Sequence, residues 1–392
     1  MHFRFAIAVT ALCLSYLALE WHNGRAQMAD FRVYYDAANA LMNGDVLYGK
    51  AFGVSSGFYK YSPFACLPFI PLALLPYEVA SVVYYILVTT AIIYFSLRVS
   101  NDIAGNSKEL NHTNYLPILV GVFLIDHLER ELHLGNINLF LLMMLYEVYR
   151  KLIDGKEIQG GILYGLVLLF KPHFLLLLPY FVWKKHLKTV LFSGATILVG
   201  LAVPAAISGW HANTDLVAQW FKAISDHNLA LQSSPNTLYG ILNELFFSGK
   251  AESWLVFAVL LIVAVLIALF IMKNDKEEGT PWTKTIRFRE FFLLVALVPN
   301  LVHTDTEHFM WVWPLLALAI YSTFDRTKPL RMLRISFLII AFIPFALNSP
   351  DLVGKANSLM FDEGGIGIAN MLVLFSALAI GTNASTHAGQ KT

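Results

Sequence analysis

Charge is scarce in this chain. Asp, Glu, Lys and Arg make up 14% of its 392 residues, where a soluble domain carries about a quarter. Cysteine is nearly absent too. Cys13 and Cys66 sit in apolar surroundings and fit no CxxC, zinc or haem spacing, which excludes a disulfide scaffold or a zinc module. The net charge of +1 offers nothing to a polyanion, so no nucleic-acid partner is expected. There is no GxGxxG, Walker A or nucleophile elbow in a fitting context, and no HExxH. Soluble nucleotide chemistry is thereby disfavoured. The chain also lacks a clear Asp-x-Asp pair of the kind that holds a metal–nucleotide donor.

What is abundant is apolar surface: 57% of residues are hydrophobic and the mean hydropathy is +0.59. A chain this greasy belongs in a membrane. The first segment, MHFRFAIAVTALCLSYLALEW, resembles a signal peptide with Arg4 as its charged region. However, Gln27 stands two positions before Ala29, where a cleavage site needs a small residue, so residues 3–20 read as an uncleaved span. Further apolar segments recur at 77–98, 115–127, 136–150, 158–170, 173–183, 187–208, 252–272, 290–302, 309–323, 332–347 and 366–381. The reading is an all-α polytopic protein, one domain over 1–392, with about twelve transmembrane helices, several of them shorter than the roughly 20 residues a span needs.

One interruption decides the topology. Pro172 cannot continue a helix and Lys171 at mid-membrane would be expensive, so LFKPHF reads as a turn between two short helices. The basic loop WKKHLK then lies inside. With both termini cytoplasmic, roughly two-thirds of the 28 lysines and arginines fall on inner segments, as the positive-inside rule requires. The outer segments are 21–76, 126–135, the KPH turn, 209–251, 299–308 and 348–365, and most of the histidines gather there. Two are large: 21–76 and 209–251. Within the first, Val33, Ala37, Ala40 and Leu41 share one face of a helix over 30–44, with Asp30 as its candidate cap and Gly44 as its end. This helix should lie along the interface. FYKYSPFACLPFIPLALLP, with four prolines, reads as a broken, re-entrant segment.

Each candidate has a plain reading beside its chemical one. Asp30 suits a general base, and it equally suits a helix N-cap. Asp36 falls on another face of that helix and reads as solvated. Lys171 can neutralise a phosphate or snorkel to headgroups, and His173 can bind phosphate or decorate the turn. His303, Asp305, Glu307 and His308 cluster at a span boundary; a metal site there lacks zinc-type spacing, and an aromatic-belt loop is the simpler reading. Trp311 and Trp313 can stack on a sugar or only anchor the interface.

In order, these segments resemble the GT-C class of integral-membrane glycosyltransferases, most closely glycosyltransferase family 87. DFRVYYDAANALMNGDVLY resembles that family's Asp-x-x-Val-Tyr segment after the first span. YKYSPFACLPFIPLALLP is similar to its Tyr-Pro-Pro segment, with Ser62 for the first proline. GNINLFLLMMLYEVYRK resembles a Gly-Gln-Ile-Asn run, with Asn136 for Gln. LFKPHF matches the Leu-Lys-Pro turn, and SSPNTLYGIL and DTEHFMWVWP look like later polar segments. The resemblance spans about residues 28–315.

It implies a polyprenyl-phosphate-sugar-dependent, metal-independent glycosyltransferase without cofactor. Asp30 would be the catalytic base, and Lys171 and His308 would lie near the donor phosphate. Tyr34, Asp36, Tyr61, Asn136, Asn138, His173, Asn236, Glu307 and Trp311 are candidate substrate-binding residues, although Glu307 stands where family members often have a histidine. The implied partners are a polyprenyl-phosphate sugar donor (mannose favoured), a glycolipid or glycan acceptor, and membrane lipids. The implied location is a bacterial cytoplasmic membrane with the site on its outer face. The alternative from another class is a transporter or flippase for a lipid-linked or small polar substrate, against which the chain shows no second copy of DFRVYY or LFKPHF. A lipid-linked glycan ligase or polymerase is a further alternative.

Overall fold

The structure, a computed structural model, describes residues 2–53, 57–104, 110–230, 234–247, 254–275, 283–302, 305–326, 330–349, 353–355, 357–358 and 364–380. Helices dominate. Among the described residues, three have the length and apolarity to cross a bilayer: His2–His22, Tyr77–Ala104 and Leu187–Ser208. Shorter apolar helical stretches include Pro63–Ala73, Glu157–Phe170, Pro172–Trp183, Leu238–Phe247, Ala258–Lys273 and Gly365–Leu378. With the family described below, these make the chain a membrane protein. One departure from an all-helical chain is a small antiparallel pair, Ala51–Phe52 with Gly57–Phe58, in the first large loop.

The chain divides into two compact units, residues 1–98, 127–232 and 302–311 forming the first, and 99–126, 233–301 and 312–392 the second. In the first unit, the helix Ala29–Asn43 buries Phe31, Val33, Tyr34, Ala37, Ala38, Ala40 and Leu41 on one stripe. That is the apolar face expected from the spacing, extended by two aromatic rings. Phe31 is fully buried and stacks on Tyr84 at 4.5 Å between ring centroids, with Tyr77 and Phe69 close by. Such a ring contributes roughly 1.5–3 kcal/mol by burial, and each aromatic pair adds about 0.5–1.5 kcal/mol. Gly44, at φ 73°, ends the helix in the left-handed conformation anticipated for it. Asp30 does not cap the start: Met28 holds that position with no side-chain bond, and Asp30 lies in the first turn. The capping reading is thus corrected, and the carboxylate is available for other partners.

The segment after Tyr61 is broken, as its prolines dictate. Pro63–Phe69 is a 3-10 helix followed by the single helical turn Ile70–Ala73. Helix Glu157–Phe170 likewise stops at Lys171, and Pro172–Leu177 continues as 3-10 before the short helix Leu178–Trp183. Helix Leu187–Ala202 packs along Glu157–Phe170. The contact is close because Gly161 and Gly165, one turn apart, have no Cβ; one added there would meet Thr189 O and Ser193 O, each at 2.7 Å. Small residues four apart are how membrane helices bring backbones together.

The second unit pairs Arg331–Ala346 with Gly365–Leu378, and Trp313–Phe324 with Leu110–Phe123. Its interior holds a chain of amides: Asn370 Nδ2 donates to Asn300 Oδ1 at 2.6 Å, and Asn300 Nδ2 donates to the carbonyls of Asn236 and Gly367, each at 3.1 Å. The buried amide NH₂ groups thus find acceptors within the unit.

Candidate active site

The site forms within the first unit, where three breaks in regular structure meet. The first follows the helix Ile125–Leu134. Gly135 has φ 65°, and Asn136 N–H closes on Glu131 O at 3.1 Å, which is a Schellman ending. Gly135 must also lack a side chain, since a Cβ would lie 2.7 Å from Phe31 Cβ. This explains the glycine of GNIN physically: it turns the chain and lets the Ala29–Asn43 helix lie against the turn.

Asn136 is delivered by that turn and is almost fully buried. Its Oδ1 accepts from Ile137 N–H at 2.7 Å and from Tyr34 O–H at 3.2 Å. The amide orientation is therefore set, and Nδ2 donates to Asp30 Oδ2 at 2.5 Å and, more weakly, to Glu307 Oε1 at 3.4 Å. With its proton spent on Asn136, the Tyr34 hydroxyl accepts from Tyr61, 3.0 Å away. Tyr84 O–H donates to the Asn136 carbonyl at 3.0 Å. The half-buried Asp30 carboxyl is pushed up to about 6, chiefly by burial; Lys171 pulls it down, Asp305 pushes it up, and Lys60 and Arg130 pull it down.

The second break is the Lys-Pro turn. Pro172 supplies no N–H for a further helical turn, so the chain leaves the helix at Lys171, whose own N–H still reaches Val167 O at 2.8 Å. The buried Lys171 Nζ donates to Asn138 Oδ1 at 2.6 Å and to His308 Nε2. It also lies 5.4 Å from the Trp311 ring centre, within cation–π range.

The third break is the 3-10 helix Thr306–Val312. At three residues per turn, His308 and Trp311 fall on one side, and their rings meet edge to face at 4.9 Å. An ammonium has only donors, so His308 Nε2 must accept, and the ring proton sits on Nδ1 facing the Asp305 carbonyl at 3.1 Å. Glu307, buried beside it, lies 3.5 Å from Arg130 Nε. Asp305, Glu307 and His308 each offer one ligand atom, all within 4.8 Å of one another, a spacing compatible with a cation. Both His308 nitrogens are already engaged, however, and the Lys171 ammonium stands at Nε2.

Asp30, Tyr34, Tyr61, Asn136, Asn138, Lys171, Glu307, His308 and Trp311 thus come together from distant parts of the sequence. Three other candidates have settings of their own. Asp36 is held by Arg32 at 2.8 Å, and that guanidinium in turn covers the Tyr77 ring. His173 occupies the first turn of Pro172–Leu177, half-buried. Asn236 belongs to the second unit, where its Oδ1 accepts from Gly367 N–H at 3.0 Å. His303 lies outside the described residues.

Sequence reasoning missed Glu131. It is completely buried, its Oε1 accepts from Leu139 N–H at 2.8 Å, and its Oε2 accepts from Asn138 Nδ2 at 3.3 Å. The available signal was a carboxylate in LERELHLGNIN, one helical ending before the asparagines.

The family model for "Glycosyltransferase family 87" matches residues 58–284, more than half of the chain. The chain is also similar to a Mycobacterium tuberculosis (strain CDC 1551 / Oshkosh) protein, the polyprenol-phosphate-mannose-dependent alpha-(1-2)-phosphatidylinositol pentamannoside mannosyltransferase. The two are 24% identical over 340 residues, covering 85% of this chain and 74% of the relative. An enzymatic reading is thereby selected over a transport one: the chain belongs to glycosyltransferase family 87, and it is a membrane glycosyltransferase.

Proposed function

We propose that this glycosyltransferase moves a sugar, mannose in the favoured case, from a polyprenyl-phosphate sugar to a hydroxyl of a glycolipid or glycan acceptor, with inversion at the anomeric carbon. One observation carries the reading. Asp30 is held by Asn136 at 2.5 Å and feels the charge of Lys171, itself joined to His308, so a candidate base and a candidate anion site share one cluster. The relative's dependence on a polyprenol-phosphate-mannose and its glycolipid acceptor support the choice of donor and acceptor class.

In this mechanism the acceptor O–H loses its proton to the Asp30 carboxylate as its oxygen attacks the anomeric carbon. The bond from that carbon to the phosphate oxygen breaks, and its electron pair leaves with the polyprenyl phosphate. A β-linked donor then gives an α-linked product. The phosphate dianion needs positive charge rather than a proton. Lys171 supplies it: two of its N–H groups go to Asn138 and His308, and the third is directed to phosphate. Tyr34, Tyr61 and Asn136 hold the base in place, while Glu307 and Trp311 line the sugar side. We take the reaction to be metal-independent, because the two ring nitrogens of His308 face the Lys171 ammonium and the Asp305 carbonyl.

The same reading sets the site on the outer face of a bacterial cytoplasmic membrane, in a GT-C-like fold of about twelve spans with both termini inside. It rests on the charge asymmetry of the loops.

The test is transfer by purified protein in lipid vesicles, using polyprenyl-phosphate-mannose and a glycolipid extract. Wild type should form a mannosylated lipid and release polyprenyl phosphate, and Asp30→Asn should do neither while remaining folded. An active, folded Asp30→Asn variant would end the base assignment.

A further inference from the structure

We propose that Glu131 is a positioning residue for the donor-phosphate site: it fixes the side-chain amide of Asn138 so that the carbonyl, not the NH₂, faces Lys171. This rests on the functional reading above.

The argument is one of donors and acceptors. Asn138 is completely buried between two groups of opposite hydrogen-bonding character. Glu131 accepts Leu139 N–H on Oε1 independently of Asn138; burial raises its pKa, while the Leu139 N–H, Lys171 and Asn138 beside it favour the ionised form, in which Oε2 is an acceptor as well. Lys171 offers only donors. Just one orientation of the Asn138 amide satisfies both neighbours, with Nδ2 toward Glu131 at 3.3 Å and Oδ1 toward Lys171 at 2.6 Å. The reverse orientation would set NH₂ against an ammonium and carbonyl against carboxylate. In a buried site neither clash is relieved by water.

Glu131 is itself anchored independently of Asn138. Its Oε1 accepts from Leu139 N–H, one of the first, otherwise unsatisfied N–H groups of the helix Asn138–Ile153. A carboxylate at a helix N-terminus is also favoured by the helix dipole. The relay therefore runs from a helix terminus through a carboxylate and an amide to the ammonium. It holds Nζ where His308 meets it, leaving the remaining N–H for the departing phosphate.

This geometry has an unusual test, because the relay can be inverted. Glu131→Gln keeps the Leu139 bond through its amide oxygen, so the helix start is preserved. Its NH₂ now faces Asn138 and turns that amide around, placing NH₂ against Lys171. Adding Asn138→Asp restores the pattern in mirror form. The introduced glutamine donates to the introduced aspartate, the aspartate accepts from Lys171, and the net charge is that of wild type.

We expect Glu131→Gln to lose about ten- to a hundredfold in kcat, comparable to removing an outer hydrogen-bond partner at a metal centre, with Tm in detergent unchanged and KM for the acceptor unchanged. The double variant E131Q/N138D should recover to within a few-fold of wild type. Stabilisation by added polyprenyl phosphate should fall and return in parallel. Full activity in Glu131→Gln, or no recovery in the double variant, would overturn the proposal. A wild type that neither transfers mannose nor is stabilised by polyprenyl phosphate would instead overturn the donor assignment beneath it.

Discussion

Asn136 and Asp30, 106 residues apart in the chain, are joined by a 2.5 Å hydrogen bond from amide to carboxylate. The amide cannot turn away, because its oxygen is claimed by Ile137 N–H and the Tyr34 hydroxyl. As the proposed base, a carboxylate held this way has few rotamers to lose when the acceptor arrives, which is the benefit of preorganisation.

Removing that anchor should therefore impair catalysis without abolishing the base. Asn136→Ala is expected to lower kcat about ten- to a hundredfold, the scale seen when a group that orients a charged ligand is lost. Asn136→Gln, which carries the residue type of the resembling family motif, should retain more activity than Asn136→Ala. Initial rates of mannosyl transfer for the two variants, with Tm as the folding control, check this ordering.

The pH dependence has a definite sign. As the proposed base, Asp30 must be ionised to accept a proton, and its pKa is raised from the ordinary carboxylate range to about 6, first by burial. Activity should thus fall as pH drops through about 6, and fall again on the alkaline side as Lys171, whose pKa burial lowers, gives up its proton. A limb near the ordinary value of about 4 would show that the base is solvated or is another residue. The profile of kcat/KM for the acceptor reports the free enzyme.

Lys171→Met keeps the length and apolar stem while removing the charge. We expect a loss of about 10²–10³ in kcat, the scale seen when one donor to a developing anion is deleted. His308→Ala should be milder, since His308 orients the ammonium through Nε2. Chelator should leave the wild-type rate unchanged, and restoration by a divalent ion after chelation would contradict the ammonium's proposed role.

Gly135→Ala should destabilise the protein in spite of the small change. Alanine at φ 65° is strained, which costs about 1–2 kcal/mol, and its Cβ would press 2.7 Å from Phe31 Cβ. Backbone cannot retreat there without shifting Asn136. The expected outcome is a lower Tm together with reduced transfer, whereas Gly155→Ala, at φ 72° with nothing within 4 Å of the new Cβ, should show only the conformational part.

Local rules made several of these features legible from composition and spacing. Scarce charge and long apolar runs put the chain in a membrane, because unpaired charge is expensive in hydrocarbon. Gly44 ends a helix and Pro172 breaks one through backbone geometry that each residue carries with it. The order of motifs carried Asp30, Lys171 and His308 together as one family pattern. Other features had no local signal. The strand pair at Ala51–Phe52 and Gly57–Phe58 is too short to show a period.

Only the tertiary structure decided which polar residues meet. It freed Asp30 from capping and gave it to Asn136, tied Asp36 to Arg32, placed Asn236 in the second unit, and put Glu131 behind Asn138. The physical reason is range. Helix ends and membrane partition are set by neighbours within a few residues. A buried hydrogen bond, in contrast, is chosen by whichever donor and acceptor the packed helices bring within about 3 Å, and sequence separation of 137 residues, as between Lys171 and His308, leaves no trace in either segment alone.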